Sequence, residues 1–234
     1  MTRFSVNKMA DKIVLYFARI AVLMFIIPAH ECAHAWAAKK NGDYTAVFSG
    51  RYTLNPMKHF DPLGFLCFVL CGFGWAQPVP VNPYNFKNYK RGCFEVAVAG
   101  VITNYILAFL FYPLAVLSSY YIGTSTYFGL FLFLLFYAGF QIDLCFFVFN
   151  LIPVFPLDGF RVVDVFAKKR GKIYQFLRYY GYRVLFVLII LSSICDYIPQ
   201  LAFLDVFGYF MSFATNIVGY PISAFWGWIF SLIF

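Results

Sequence analysis

From residue 92 to residue 160 the chain carries neither lysine nor arginine, and the stretch is built chiefly from Phe, Leu, Val, Ile and Tyr. A segment so composed has little with which to face water. Two runs within it, about 93–117 and 126–152, exceed the roughly 20 apolar residues that a bilayer crossing requires. Residues about 13–38 form another such run. Charged residues make up only 12% of the chain, against about 25% in an ordinary soluble domain. These features predict an all-α polytopic membrane protein, because a span in lipid must satisfy its own backbone groups.

The basic residues then order the spans. All 18 Lys and Arg fall in four clusters, 3–19, 39–58, 87–91 and 161–183. Cytoplasmic loops are the basic ones, so residues 39–62, 79–92 and 160–183 are expected on the cytoplasmic side, and the uncharged turn "SSYYIGTST" (118–126) outside. The apolar segment "LGFLCFVLCGFGWAQP" (63–78) must then enter and leave by one face, as a re-entrant segment. The first helix starts outside in this scheme although Arg3, Lys8 and Lys12 precede it, so the N-terminus is expected to lie along the interface. A helix from about 174 begins amphipathic and turns apolar toward Asp196. Residues 201–234 hold one span, or a span plus an in-plane piece, broken at "GYP". The total is about five transmembrane helices plus a re-entrant segment, with no internal repeat and no appended soluble domain. The first apolar run lacks a small-residue cleavage site and is expected to remain as a span.

Chemistry is concentrated at the end of that first run, in "FIIPAHECAHAWAAKK" (25–40). His30 and His34 are four apart, hence on one face of a helix. Two imidazoles so placed suit zinc, and the adjacent Glu31 suits a general base. An ionisable residue inside a span marks function by default. A catalytic zinc normally has three protein ligands. The third histidine, His59, lies in a loop before the re-entrant segment and is poorly placed. Among the acids, Asp158 in "NLIPVFPLDGFR" stands out: Pro153 and Pro156 end the preceding helix, and Gly159 would allow an unusual backbone angle. Asp158 as a simple helix cap is the alternative. The six cysteines show no CxxC spacing and read as small apolar residues. The net charge of +8 reports loops at a membrane surface rather than nucleic-acid binding.

Three motifs in order, "HECAH" (30–34), "GVITN" (100–104) and "NLIPVFPLDG" (150–159), resemble the site-2 protease family of intramembrane zinc metalloproteases. The intervening "GDYTAVFSGRYTLNPMKHFDPLG" and "GWAQPVPVNPYNFKN" look like the compact bacterial branch without a PDZ domain. The resemblance covers roughly residues 13–183. It implies one Zn2+ per chain held by His30, His34 and Asp158, Glu31 as the base, and Asn104 lining the site as the first candidate to steady an oxyanion. Residues 1–183 would form the protease core, and 184–234 would add C-terminal transmembrane segments to the same membrane domain. The implied reaction is hydrolysis of peptide bonds within or near transmembrane segments, with a transmembrane protein as substrate and the lipid bilayer as surroundings. The expected location is the cell membrane, with the site opening toward the cytoplasm.

Departures from the family pattern are Cys32 inside the first motif, the absence of a proline after Gly100, Phe155 where proline is common, and Asp143 where Asn is frequent. Asp143 and Asn150 are seven apart, which directs both toward the site as candidate substrate-binding residues. For Asp143 a paired or protonated wall residue is the leading reading, with water access or substrate contact as the alternative. Asn104, Asp143 and Asn150 together would keep a hydrated pocket open to the cytoplasm. The proline-rich "AQPVPVNPY" is extended by its composition. It either offers an edge to an unwound substrate strand or packs over the site without touching substrate. Two rival functions remain at this stage: a transporter, which would explain broken helices and midplane polar groups, and an inactive relative acting as a binding protein. Substrate identity and oligomeric state are not encoded in any recognisable pattern.

Overall fold

The computed structural model describes residues 9–71 and 74–233, and among them the chain is helical, with one isolated antiparallel bridge between Phe60 and Ala76. The expected placement of Arg3 and Lys8 along the interface falls outside the described residues. Among the described residues, four helices are long and apolar enough to cross a membrane: α1 (Met9–Lys40), α4 (Tyr89–Tyr121), α5 (Tyr127–Leu151) and α9 (Val206–Ile233). The short helices α2 (Thr45–Phe48) and α3 (Pro62–Cys71) lie between α1 and α4, and α6 (Asp158–Phe166), α7 (Lys172–Tyr179) and α8 (Gly181–Tyr197) between α5 and α9. The starts of α4 and α5 are set by side-chain caps: Asn88 accepts from the Arg91 N–H and Thr126 from the Gly129 N–H, both at 3.1 Å. Pro153, two residues past α5, prevents its continuation.

Helices α1, α4 and α5 pack on one another and form the core, with α6 against α4 and α5. Lipid offers no hydrophobic drive for helices to associate, so close approach through small residues does the work. Ala18, Ala97, Ala108 and Ala115 are buried at these contacts, with Val22, Ile26, Leu134, Phe140 and Leu144 filling between them. Outward positions stay apolar and exposed, as on α9 at Phe213 and Tyr220, which suits a lipid-facing surface.

Helix α9 docks on α4 and α5, where the shorter of its polar bonds to α4 answers a proline. Pro113 lies inside α4 and has no N–H, so the carbonyl of Phe109, one turn earlier, loses its helical donor. The Trp226 Nε1–H of α9 donates to that carbonyl at 3.0 Å. A partner helix thus satisfies a backbone group that a proline frees, which is how prolines are tolerated in spans. Proline also fails to break α9 itself: the helix runs through "GYP" with Pro221 inside it. The discontinuity expected there occurs earlier, at the 3-10 turn Pro199–Leu204. The helix expected from about 174 is two helices, α7 and α8, bent by 53° at Tyr180.

The segment between α1 and α4 turns back on itself. The Gln77 N–H donates to the His59 carbonyl at 2.8 Å beside the Phe60–Ala76 bridge, so the chain entering α3 and the chain leaving it are side by side. Arg51 adds donors to the carbonyls of Gln77 and Pro78. This is the geometry expected of a re-entrant segment. We predict that Trp226→Phe, which keeps the ring and strips its donor, leaves the Phe109 carbonyl unpaired and lowers stability by about 1–3 kcal/mol. Equilibrium unfolding of the detergent-solubilised variant checks this, and wild-type stability would contradict it.

Candidate metal centre

Two imidazoles four residues apart on α1 meet edge to face, with ring planes at 86°, and both are buried. Their outer ring nitrogens are committed: His30 Nδ1–H donates to Asn104 Oδ1 at 2.6 Å, and His34 Nδ1–H to the Val96 carbonyl at 2.7 Å. Both acceptors belong to α4. With a carbonyl oxygen fixing the proton on Nδ1, each neutral ring presents a bare Nε2. These two nitrogens lie 3.0 Å apart. The Asp158 Oδ2 completes a triangle, 3.4 Å from His30 Nε2 and 3.1 Å from His34 Nε2. Three lone-pair donors therefore face one another in a buried space, and Asp158 Oδ2 has no hydrogen-bond partner.

Such a cluster calls for a cation. Tetrahedral ligands at about 2.0 Å from zinc stand about 3.3 Å from each other, and the observed separations fall around that value. Two imidazoles and one carboxylate form a donor set that suits zinc, and three protein ligands leave a fourth position open.

Asp158 reaches the cluster because Pro153 and Pro156 turn the chain after α5 and start α6 at Asp158 itself. Its side chain makes no capping bond, so the helix-cap alternative is not what the structure contains. The unusual backbone angle that Gly159 would allow is not a left-handed one, since its φ is not positive. The glycine is needed for space: a Cβ there would run into the carbonyls of Leu151 and Ile152. Arg161 Nη1 lies 3.7 Å from the other Asp158 oxygen.

Glu31 is half-buried, and its Oε2 accepts the Val79 N–H at 2.9 Å. Val79 belongs to the extended proline-rich segment after the re-entrant turn, which Asp43 anchors. Fully buried just beyond α1, Asp43 accepts the Asn82 N–H at 2.7 Å, the Asn85 amide at 2.8 Å and the Thr45 N–H at 3.1 Å. Burial alone would raise the Asp43 pKa, but the bonds from Thr45, Asn85 and Asn82 outweigh it and hold the carboxyl below its usual range. The anchor therefore contributes stability above the usual carboxylate range and loses it as pH falls through the lowered value.

The remaining candidates are placed as follows. Asn104 is fully buried with both ends engaged, its Oδ1 toward His30 and its Nδ2 donating to Asp143 Oδ1 at 2.6 Å. It stands against His30, with its amide donor already engaged by Asp143. Asp143 is fully buried behind Asn104, away from any surface a substrate could reach. The amide of Asn150 returns to its own helix, donating to the Phe146 carbonyl at 3.1 Å. His59 is buried in the loop, with Nε2 donating to the Thr53 carbonyl at 2.8 Å.

The sequence reading missed what Gly100 and Val96 do. A Cβ on Gly100 would lie 2.5 Å from His30 Cε1 and 2.6 Å from His34 Nε2, so only glycine lets α4 pass over the two rings. The usable signal was the four-residue spacing of Gly100 and Asn104, which puts both on one face. For Val96 no side-chain signal exists, because its backbone carbonyl acts. We predict that Gly100→Ala displaces the imidazoles and weakens zinc binding at least about tenfold. Chelator competition on the purified variant measures it, and wild-type affinity would refute the packing argument.

Comparison with known proteins agrees with this geometry. The profile of Peptidase family M50 matches residues 18–192. The "Putative zinc metalloprotease YwhC" of Bacillus subtilis (strain 168) is 39% identical over 174 residues, covering 73% of this chain and 79% of that protein. The "Putative zinc metalloprotease MJ0611" of Methanocaldococcus jannaschii is 27% identical over 176 residues, covering 68% and 80%. No solved structure matches. A buried two-histidine, one-aspartate zinc centre within a multi-pass helical membrane fold, together with these matches, establishes that the chain belongs to peptidase family M50, the site-2 protease family of membrane zinc metalloproteases.

Proposed function

We propose that this protein is an intramembrane endopeptidase that cleaves membrane-protein substrates within or beside a transmembrane segment, in the manner of regulated intramembrane proteolysis. The observation that carries this is the convergence of three bare metal-ligand atoms at the inner end of a spanning helix, with a carboxylate beside them. His34 lies six residues before Lys40, so the centre sits about 9 Å inward from the end of α1.

Zinc, when bound, makes water acidic enough to lose a proton near neutral pH and polarises the scissile carbonyl. Glu31 takes the proton from the attacking water and later delivers it to the leaving amine. Val96 and Asn104 hold the imidazoles in the tautomer and orientation that binding requires. Substrate access is supported by a cavity of about 430 Å³ between the extended segment, α4 and α6. Its walls include Pro78, Pro80, Phe155 and Phe160, an apolar surface suited to an unwound hydrophobic segment. Two more lining residues touch the centre directly, Val79 through Glu31 and Val96 through His34. The Glu31–Val79 bond ties the extended segment to the base, so a substrate strand arriving there meets the catalytic group at once.

Orientation follows from charge. With Lys39, Lys40, Lys87 and the cluster 161–183 at one end of the bundle's connections, the cell membrane's cytoplasmic side is the reading that fits the basic-loop bias. Single cysteines at Asn85 and Gly171, in a cysteine-free background, should label from the cytoplasmic side and one at Ser119 from the outside. Labelling of Asn85 together with Ser119 would overturn the scheme.

The chemical test is Glu31→Gln. The amide preserves shape and cannot take a proton, so cleavage of a reporter bearing a transmembrane segment should fall by about 10²–10⁴-fold with zinc content unchanged. Substantial turnover by the purified variant would remove Glu31 from the base role. Absence of cleavage by the wild type loaded with zinc would count against the protease reading itself.

A further inference from the structure

We infer that Asp143 is a positioning residue of the metal centre, acting on His30 through Asn104. The inference rests on the zinc-site reading above and extends it by one shell. The observed chain is continuous: Asp143 Oδ1 accepts the Asn104 Nδ2–H at 2.6 Å, and Asn104 Oδ1 accepts the His30 Nδ1–H at 2.6 Å. Asp143 and Asn104 are fully buried and His30 nearly so, on three different helices, α5, α4 and α1.

The direction of the bonds gives Asp143 its function. A side-chain amide has a donor end and an acceptor end of nearly equal shape, and nothing in Asn104 itself says which should face His30. If the NH2 group faced the ring, Nδ1 would become the acceptor, the proton would move to Nε2, and the lone pair would point away from the metal position. On the far side of the amide, Asp143 Oδ1 is the acceptor of this pair. It draws the NH2 end of Asn104 toward α5, leaves the carbonyl end for His30, and so keeps Nε2 bare. The same bonds tie α5 to the centre although α5 supplies no ligand. This accounts for a fully buried acid whose Oδ1 is committed to the amide that holds His30. A carboxyl group placed only for packing would not need its one bond on the amide that holds a ligand.

The test is zinc affinity of the full-length protein in detergent, measured by competition with a chromophoric chelator. Asp143→Leu, similar in volume and without an acceptor, should weaken binding by about 10–100-fold. Asp143→Asn can still offer its carbonyl to Asn104 and should stay within a few-fold of the wild type. Asn104→Ala should weaken binding, and adding Asp143→Leu to it should cost nothing more, because the relay is already cut. Unchanged affinity in Asp143→Leu, or losses that add in the double variant, would overturn the inference. A wild type that binds no zinc would instead defeat the metal-site reading beneath it.

A second readout covers poor folding of Asp143→Leu. With only three histidines in the chain, selective 15N labelling resolves the rings. The zinc-loaded wild type and Asp143→Asn should both show a slowly exchanging, downfield Nδ1–H on His30, which Asn104→Ala loses. Fast exchange of that proton in the wild type would overturn the inference without reference to any Asp143 variant.

Discussion

Three lone pairs pointed at one another inside a protein are a repulsive arrangement, and the structure around His30, His34 and Asp158 exists to hold them so. Each Nδ1 proton is fixed by an acceptor on α4, which removes the alternative in which a ring turns its own N–H inward. The aspartate is delivered by a proline-bounded turn and is denied a capping role. A metal cation among the three atoms resolves the repulsion and uses all three donors at once. This single electrostatic demand sets the spacing on α1, the glycine on α4 and the start of α6.

Placing such a centre within a bilayer adds a second demand, that every polar group on the way be paired. Spanning helices satisfy this for the backbone, and prolines are the exceptions. At Pro113 the released carbonyl is answered by an indole from α9, so the C-terminal span is part of how α4 is completed. The re-entrant turn meets the same demand with paired backbone at its mouth, where Gln77 binds His59. Its extended exit carries Val79 to Glu31, bringing non-helical backbone to the site and to a cavity.

Much of this was legible in the residues. The apolar runs located the four long helices, and the basic clusters made residues 63–78 a segment that returns, because both operate through water and lipid and need no partner to be read. The two histidines were legible for a similar reason, since i, i+4 imidazoles are a local geometry, whereas Asp158 stood out through its proline-bounded run and the family resemblance. Roles that depend on which end of a side chain faces which helix were not. Asn104 looked like a wall residue with a free amide, and only the three-helix packing shows both its ends engaged. Asp143 was directed toward the site by periodicity, which fixes a face but not whether another side chain intervenes. The continuity of α9 through Pro221 was hidden because proline is judged by its behaviour in water, where the freed carbonyl has competition from solvent.

Because Gly100 lets the backbone of α4 rest directly on the two rings, the distance between α1 and α4 is the thickness of an imidazole pair. Helix packing and ion occupancy are then one equilibrium, not two. Whatever binds the three donors also removes the repulsion that pushes these elements apart, and the folded state gains about 1.4 kcal/mol for each tenfold excess of free zinc over its dissociation constant. Thermal resistance of this protein is in that sense a gauge of the metal supply around it, and a chain starved of zinc is loosened first where α6 brings Asp158 against the two histidines of α1.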